Sequence, residues 1–136
     1  MTMRTPQEIL AESKTIAAVG LSDDTRRESY GVASYLQSHG YRIIPVNPAV
    51  KSVLGETSYA TLLDVPVPVD LVDVFRRPEF TPAIARDTVA IKAKALWLQL
   101  GIVNGEAARI AQEGGLDMVM DLCTMVVHRR AAVGKG

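Results

Sequence analysis

Residues 15–32, TIAAVGLSDDTRRESYGV, constrain the fold of this chain more than any other stretch. Small and β-branched residues from Thr15 to Val19 end at Gly20, and a polar loop follows before apolar periodicity returns. This pattern predicts a buried strand, a glycine turn and the start of a helix. In a parallel α/β unit, such a junction presents backbone N–H groups and the positive end of a helix, where anions bind. Arg26 and Arg27 lie in the same loop and favour a phosphate.

The same alternation of strand and helix continues along the chain. Strands are predicted at residues 15–19, 41–46, 70–75, 95–98 and 116–120, and helices at 5–13, 29–39, 78–90, 104–113 and 121–130, with one helical turn at 61–65. Right-handed crossovers then give a Rossmann-like, doubly wound, five-stranded parallel sheet in a three-layer α/β/α arrangement. We predict the strand order 3-2-1-4-5, with the first and fourth strands at the switch point. Pro45 in the second strand marks an edge position or a strand end.

Length, composition and charge bound the class of protein. The 136 residues, 48% of them hydrophobic, predict a single domain over residues 1–130 with a frayed tail at 131–136. Fifteen basic and fifteen acidic residues cancel, so neither nucleic acid nor an anionic membrane is an expected partner. One cysteine forms no intramolecular disulfide, the N-terminus is too polar for a signal peptide, and no apolar run approaches a membrane span. We therefore expect a cytoplasmic protein.

The glycine turn does not carry the fingerprint of an NAD site. A dinucleotide-binding fold has the pattern G-x-G-x-x-G after the first strand and an acidic residue at the tip of the second strand. In this chain the next glycine after Gly20 is Gly31, and the residue at the tip of the second strand is Asn47. Without that carboxylate, and with Lys51 and the loop arginines near the same edge, a nucleotide with more phosphate fits better than NAD.

Four blocks of sequence resemble a known family. They are GLSDDTRRESYGVASYLQSHGYRIIPVNP, VDLVDVFRRPE, LWLQLGIVN and VMDLCTMVVHRR, and the resemblance as a whole spans roughly residues 13–130. In this order they resemble the small stand-alone CoA-binding proteins of bacteria, which are similar to the CoA-binding domain of the succinyl-CoA synthetase alpha subunit. The resemblance implies coenzyme A as the ligand. The catalytic histidine segment and the second subunit of the ligase are missing, so the resemblance does not imply acyl-CoA synthesis by this chain alone.

The resemblance also implies a set of ligand-binding residues. It assigns Gly20, Leu21, Ser22, Arg27, Ser29, Tyr30 and Gly31 to the pyrophosphate, Asn47 and Pro48 to the adenosine, Phe75, Arg76 and Arg77 to a wall of the nucleotide pocket, and Gln99 to Gly101 to the pantetheine arm. Lys51 joins this set through its charge. The chain departs from the family pattern at Glu28, where proline is more usual, and at Arg26, where a small residue is more usual. An asparagine at position 47 avoids the repulsion between a carboxylate and the ribose 3′-phosphate of CoA.

Two functions of different classes follow from these residues, beside a third possibility, a scaffold whose pocket has lost its ligand. The first is a module that binds CoA or acyl-CoA without catalysis of its own, acting as a sensor, a carrier or a partner of an acyl-CoA enzyme, alone or as a homo-oligomer. The alternative is a small NAD(P)-binding oxidoreductase, although five strands leave no substrate domain in so short a chain. Asp23 and Asp24 are better explained by loop solvation than by a metal. Cys123 is expected to be a buried structural thiol, because no activating base is placed beside it.

Overall fold

A computed structural model describes residues 3–135 of the chain, with side chains to residue 131. The helices are α1 (Pro6–Glu12), α2 (Glu28–Ser38), α3 (Thr81–Ala90), α4 (Gly105–Glu113) and α5 (Thr124–Lys135). The strands are β1 (Thr15–Val19), β2 (Arg42–Val46), β3 (Ser52–Val53), β4 (Glu56–Thr57), β5 (Leu71–Val74), β6 (Ala95–Leu98) and β7 (Asp117–Val119). Five of these strands form one parallel sheet in the order β2-β1-β5-β6-β7. The predicted Rossmann-like α/β fold is confirmed.

Helices cover both faces of the sheet because the central strands are apolar on both sides. Side chains of α1, α2 and α5 pack with Ile16, Ala18 and Trp97 on one face. Side chains of α3 and α4 pack with Val72 and Leu96 on the other face. Alternate residues of one strand therefore enter two separate cores, as the period of a strand requires. The three-layer architecture follows.

The predicted strand order, 3-2-1-4-5, is wrong. In chain order the five main strands are arranged 2-1-3-4-5, so the third main strand, β5, lies beside β1. Pro45 lacks an N–H group, and β2 accordingly stands at the edge of the sheet. The residues of β5 are all buried, and β5 has β1 on one side and β6 on the other. The switch point therefore lies between β1 and β5 rather than between the first and fourth main strands.

Three smaller differences concern local structure. The pattern of residues 47–59 predicts a loop, but β3 and β4 form a short antiparallel hairpin within it. Its two turn residues, Leu54 and Gly55, have φ angles of 55° and 78°, as a two-residue type I′ turn requires. The predicted helix over 78–90 begins with a 3₁₀ turn, Pro78–Phe80, before α3. Helix α5 continues to Lys135, beyond the predicted end at Arg130; Gly136 lies outside the described residues, and the fraying of the last turn stays a prediction.

Candidate functional site at the carboxyl edge of the sheet

Gly20 ends β1 at a point where the backbone of β5 comes very close. Its φ angle is +88°, a left-handed conformation that favours glycine. A Cβ atom at this position would lie 2.9 Å from Cδ of Arg76 and 3.3 Å from the carbonyl oxygen of Phe75. The Gly20 N–H donates to the carbonyl of Val46 at 2.8 Å, which joins the tips of β1 and β2. The left-handed backbone therefore favours glycine here, and the neighbouring atoms leave little room for a side chain.

The loop between Gly20 and α2 is held by its own short-range hydrogen bonds. The Ser22 N–H donates to Oγ of Ser29 at 3.1 Å, and the Asp24 N–H donates to Oγ of Ser22 at 3.0 Å. The Arg27 N–H donates to the carbonyl of Asp24 at 3.0 Å. The side chain of Leu21 is fully buried and anchors the loop in the core. These bonds fix the path of the loop from within the chain itself.

Two adjacent arginines in this loop have different partners. The Arg26 guanidinium donates to both carboxylate oxygens of Asp24, each at 3.1 Å. These bonds, with that of the Arg26 N–H, hold the pKa of the Asp24 carboxyl below its usual value. Within residues 3–135, by contrast, Arg27 has no carboxylate within ion-pair distance. Arg27 is therefore the cation of this loop that is available to an anion.

Helix α2 begins beside these arginines without a side-chain cap. Arg27 occupies the N-cap position with extended backbone angles, and its side chain accepts no hydrogen bond from the helix. The first N–H groups of a helix have no partner within the helix, and they carry the positive end of its dipole. Glu28 and Ser29, the first residues of α2, line the same cavity at the carboxyl edge of the sheet as Gly20. This arrangement binds phosphate in many α/β proteins.

Three cavities lie along this edge. A central cleft of about 620 Å³ is lined by Gly20, Ser22, Arg26, Arg27, Glu28, Ser29, Asn47, Phe75, Gln99, Leu100 and Ile102. An apolar pocket of about 380 Å³ is lined by Glu28, Gly31, Val32, Phe75, Gln99, Leu100, Cys123, Met125 and Val126. An edge pocket of about 210 Å³ is lined mainly by Val19, Val46, Pro48, Leu62, Arg76, Phe80 and Ile84. The central cleft and the apolar pocket share four lining residues.

The central cleft and the edge pocket lie on opposite faces of the sheet. Consecutive residues at the strand tips separate between them: Phe75 enters the cleft and Arg76 the edge pocket, and Asn47 and Pro48 divide in the same way. The Arg76 guanidinium lies 4.4 Å from the ring centroid of Phe80 on the α3 face. The tips of β1 and β5 lie between the two cavities. An elongated ligand would cross the sheet edge at this switch point.

The structure brings most of the predicted site residues to these cavities. Those in the central cleft are Gly20, Ser22, Arg27, Ser29, Asn47, Phe75 and Gln99. Gly31 lines the apolar pocket, and Pro48 and Arg76 line the edge pocket. The other predicted residues, Leu21, Tyr30, Lys51, Arg77 and Gly101, line none of these three cavities. Their roles as ligand contacts stay predictions.

The residues outside the cavity walls have local partners or face solvent. Tyr30 packs against the core, and Lys51 is exposed. The Arg77 guanidinium lies 3.9 Å from the Glu79 carboxylate on the surface. The Gly101 N–H donates to Oδ1 of Asp121 at 2.8 Å, which ties the loop after β6 to the loop after β7.

Asn47 lies in the cleft and also supports the loop. Its Nδ2 donates to the carbonyl of Leu21 at 3.0 Å, and its Oδ1 accepts from the Ala49 N–H at 2.9 Å. The amide thus joins the loop after β1 to the loop after β2. This structural role was not part of the prediction for Asn47.

A buried polar network lies below the cleft. The Gln99 Nε2 donates to Oδ1 of Asp73 at 2.5 Å and to Oγ1 of Thr124 at 2.8 Å, and Thr124 donates to Oδ2 of Asp73 at 3.1 Å. Burial raises the pKa of the Asp73 carboxyl to about 7, although the bonds from Gln99 and Thr124 oppose that rise. The network fixes the Gln99 side chain at the wall shared by the cleft and the apolar pocket.

Sequence reasoning missed the contribution of α5, of Val32 and of Ile102. Val32, Cys123, Met125 and Val126 complete the apolar pocket, and Ile102 completes the cleft. Cys123 is partly exposed rather than buried as expected. Leu100, which the resemblance already places beside the pantetheine arm, lines both the cleft and the apolar pocket, and the residue is 69% exposed.

Neither a metal centre nor a membrane span is found in the described part of the chain. Across residues 3–135, no three His, Cys, Asp or Glu side chains are placed to hold a metal ion together. No helix in that same range has the length and apolar character needed to cross a membrane. Asp24 is bonded to Arg26, which agrees with a role in the loop.

Comparison with known proteins relates the whole fold to one family. A family model described as "CoA binding domain" matches residues 14–129. The uncharacterized protein YneT of Bacillus subtilis is 43% identical over 122 residues, covering 90% of each chain. A hypothetical protein from Pyrococcus horikoshii is 37% identical with a TM-score of 0.89, over 93% of this chain and 92% of that one. The structure of cell-free ID.343 from Thermus thermophilus is 38% identical with a TM-score of 0.88, and the match covers 93% of this chain and 98% of that one. The resemblance found in the sequence is confirmed, and the chain belongs to the CoA-binding domain family.

Proposed function

We propose that this protein binds coenzyme A across the carboxyl edge of its sheet and does not itself catalyse a reaction. The diphosphate lies in the central cleft, against the first turn of α2 and the Arg27 guanidinium. The adenine lies toward the edge pocket, where Pro48 and the paired Arg76 and Phe80 offer flat surfaces. The pantetheine arm passes Gln99 toward the loop after β6.

One observation carries the proposal. In a chain of the CoA-binding domain family, an uncapped helix start and an unpaired arginine lie together beside Gly20 at the switch point. Ligands of open α/β sheets bind at this point, and phosphates bind at helix starts. Charge-assisted hydrogen bonds to phosphate are among the stronger polar interactions in proteins. The local positive charge therefore matches the diphosphate although the whole chain is neutral.

A role without catalysis is supported by the residues of the cleft. Among the described residues that line it, none is a histidine or cysteine. His128 is hydrogen-bonded through Nδ1 to the Tyr35 hydroxyl at 2.8 Å, on the α2 and α5 side of the fold. An activated nucleophile requires a base within hydrogen-bond reach. Binding alone, as a sensor, carrier or partner of an acyl-CoA enzyme, fits these residues better.

The alternative ligand, NAD, is disfavoured by the tip of β2. An NAD site places a carboxylate there to accept hydrogen bonds from the ribose hydroxyls. Asn47 occupies this position, and its amide is already bonded to Leu21 and Ala49.

Isothermal titration calorimetry with CoA and NAD tests the proposal. We expect a single CoA site, with NAD binding at least tenfold more weakly. In a thermal melt, CoA at about 100 times its dissociation constant adds about 2.7 kcal/mol, which raises Tm by several degrees. Equal affinity for NAD and CoA would show that Asn47 does not disfavour NAD. Tighter binding of NAD would favour the oxidoreductase-like alternative.

A further inference from the structure

The apolar pocket continues the central cleft away from the adenine end of the site. Four residues, Glu28, Phe75, Gln99 and Leu100, line both cavities, so no wall separates them completely. The edge pocket lies on the other face of the sheet. Along the edge, the three cavities therefore follow the order edge pocket, cleft and apolar pocket. In the proposed orientation of CoA, the apolar pocket lies at the thiol end.

The walls of this pocket are suited to hydrocarbon. Val32, Phe75, Met125 and Val126 come from α2, the tip of β5 and α5. Leu100 forms part of the wall although its side chain is 69% exposed. When a ligand covers an exposed apolar side chain, the burial of that surface stabilises the complex. The volume, about 380 Å³, lies within the range of pockets for small ligands.

The polar side chains of the pocket also limit what it accepts. The Gln99 Nε2 is committed to Asp73 and Thr124, so the amide oxygen is the polar atom that Gln99 can offer to a ligand. That oxygen accepts from an N–H group such as those of pantetheine. Glu28, an acidic residue, lines both the cleft and the pocket. A negative charge at this point disfavours an acyl group that ends in a second carboxylate.

We propose that the apolar pocket holds the acyl chain of a CoA thioester, and that the preferred acyl group is aliphatic and uncharged. This inference rests on the proposed CoA site and names the class of ligand that fills it. The pantetheine arm alone does not explain the pocket, because its amides and hydroxyl need polar partners. Apart from Gln99, Glu28 and the Cys123 thiol, the lining side chains are apolar or absent.

Calorimetry of the whole protein with CoA, butyryl-CoA, hexanoyl-CoA and succinyl-CoA tests this inference. Burial of one methylene is worth about 0.8 kcal/mol, or about fourfold in affinity, so hexanoyl-CoA should bind about fifteenfold more tightly than butyryl-CoA. Succinyl-CoA replaces the terminal methyl of butyryl-CoA by a carboxylate and should bind no more tightly than CoA. Equal affinities for CoA and hexanoyl-CoA would overturn the inference while leaving the CoA site intact. Failure of every thioester and of CoA to bind would instead overturn the proposed function.

Three variants locate the effect. Val126→Phe narrows the pocket and should remove the advantage of hexanoyl-CoA over CoA. Leu63→Phe enlarges an exposed side chain outside these cavities and should retain that advantage. Glu28→Gln should raise the affinity for succinyl-CoA relative to butyryl-CoA. If the advantage of hexanoyl-CoA survives in Val126→Phe, the chain binds elsewhere and the inference is wrong; if that variant does not fold, the thioester series with the natural chain still decides.

Discussion

The amino edge of the sheet satisfies its own polar groups, whereas the carboxyl edge leaves donors unused. At the amino edge, the Asp70 carboxylate accepts from the N–H groups of Lys14 and Thr15, both at 2.9 Å. Arg4 is paired there with Asp117 at 2.6 Å. At the carboxyl edge, α2 begins without a side-chain cap beside Arg27. Both edges thus belong to the same α/β fold. The carboxyl edge is the one available to an anion, because the N–H groups at the start of α2 have no side-chain acceptor there.

Helix starts show the same contrast. Helix α1 has a complete capping box, in which the Glu8 N–H donates to Oγ1 of Thr5 and the Thr5 N–H donates to Oε1 of Glu8. Helix α4 is capped by Asn104, whose Oδ1 accepts from the Ala107 N–H at 2.9 Å. Only α2, among these three, has a cationic N-cap residue. Four experiments test this contrast.

The largest expected effect concerns the two aspartates near the ends of β5. At the amino edge, burial raises the pKa of Asp70, but bonds from Thr15 and Lys14 and the nearby Lys94 outweigh it, so the pKa is lowered. For Asp73, burial prevails and the pKa is about 7. Between about pH 4 and about pH 7, the unfolded chain has released the Asp73 proton and the folded protein has not. The free energy of unfolding should therefore fall as pH rises through this window, by up to about 4 kcal/mol.

Urea unfolding followed by fluorescence of the buried Trp97 measures this effect. Asp73→Asn should remove the fall between about pH 4 and about pH 7. Asp70→Asn should retain it, because the contribution of Asp70 is present above about pH 4 and is lost only as pH falls through its lowered pKa. Identical pH dependence in the natural protein and in Asp73→Asn would show that Asp73 is ionised throughout.

The second experiment gives α2 the cap it lacks. In Arg27→Asp, the new carboxylate should accept from the first-turn N–H groups and stabilise the helix by about 1 kcal/mol. The same change removes the cation and occupies the phosphate donors, so CoA affinity should fall by about 3 kcal/mol. Arg27→Ala should cost about 1 to 3 kcal/mol of binding without the gain in stability. Arg26→Ala should weaken CoA binding less than Arg27→Ala, because the Arg26 guanidinium is already paired with Asp24.

Calorimetry and urea unfolding of the same Arg27→Asp sample separate the two effects. Greater stability together with weaker CoA binding would support the assignment of α2 as the anion site. Unchanged CoA affinity in Arg27→Asp would refute it. A larger loss in Arg26→Ala than in Arg27→Ala would place the phosphate one residue earlier in the loop.

Much of the fold was predictable because its signals are local. The predicted strand at 95–98 matches β6, and the predicted helix at 104–113 matches α4 with its N-cap Asn104, since apolar runs and caps depend on neighbouring residues. The strand order depends on which strands are buried on both faces, and Pro45 already argued against an interior position for β2. The hairpin at Leu54 and Gly55 was missed because leucine rarely adopts a positive φ.

The candidate site was predictable only where it lies on one stretch of chain. In the loop from Gly20 to Ser29, the glycine, serine and arginine residues themselves indicate an anion site. The apolar pocket does not, because Val32 and Val126 come together only when α2 and α5 pack on the same face. In the sequence, both residues look like the ordinary apolar side of a helix. Long-range packing, rather than a motif, creates that part of the site.

The third experiment concerns two asparagines with the same bonding pattern. Asn47 and Asn104 each accept one backbone N–H and donate to one backbone carbonyl, that of Leu21 and of Pro78 respectively. Asn47→Asp loses the donor and places a carboxylate against the Leu21 carbonyl. CoA affinity should fall by about 1 to 2 kcal/mol, because the phosphate loop loses its tie to β2.

Dephospho-CoA distinguishes this reason from direct contact with the 3′-phosphate. If the loop tie is the cause, CoA and dephospho-CoA lose affinity equally. A loss confined to CoA would instead support the charge repulsion expected from the sequence. Asn104→Asp makes the same chemical change at α4 and keeps a good N-cap, so its CoA affinity should match that of the natural protein.

The smallest expected effect is at the amino edge. Thr5→Ala removes the side-chain acceptor of the capping box, where Oγ1 of Thr5 lies 3.1 Å from the Glu8 nitrogen. Loss of such a cap typically costs about 1 kcal/mol of stability, and Thr5→Ser should recover most of it because serine caps equally well. CoA affinity should stay the same in both variants, since α1 lines neither the central cleft nor the edge pocket. Urea unfolding and calorimetry on one preparation measure both quantities. A fall in CoA affinity that matches the fall in stability would show that the two edges are coupled. The amino edge would then influence CoA binding as well as stability.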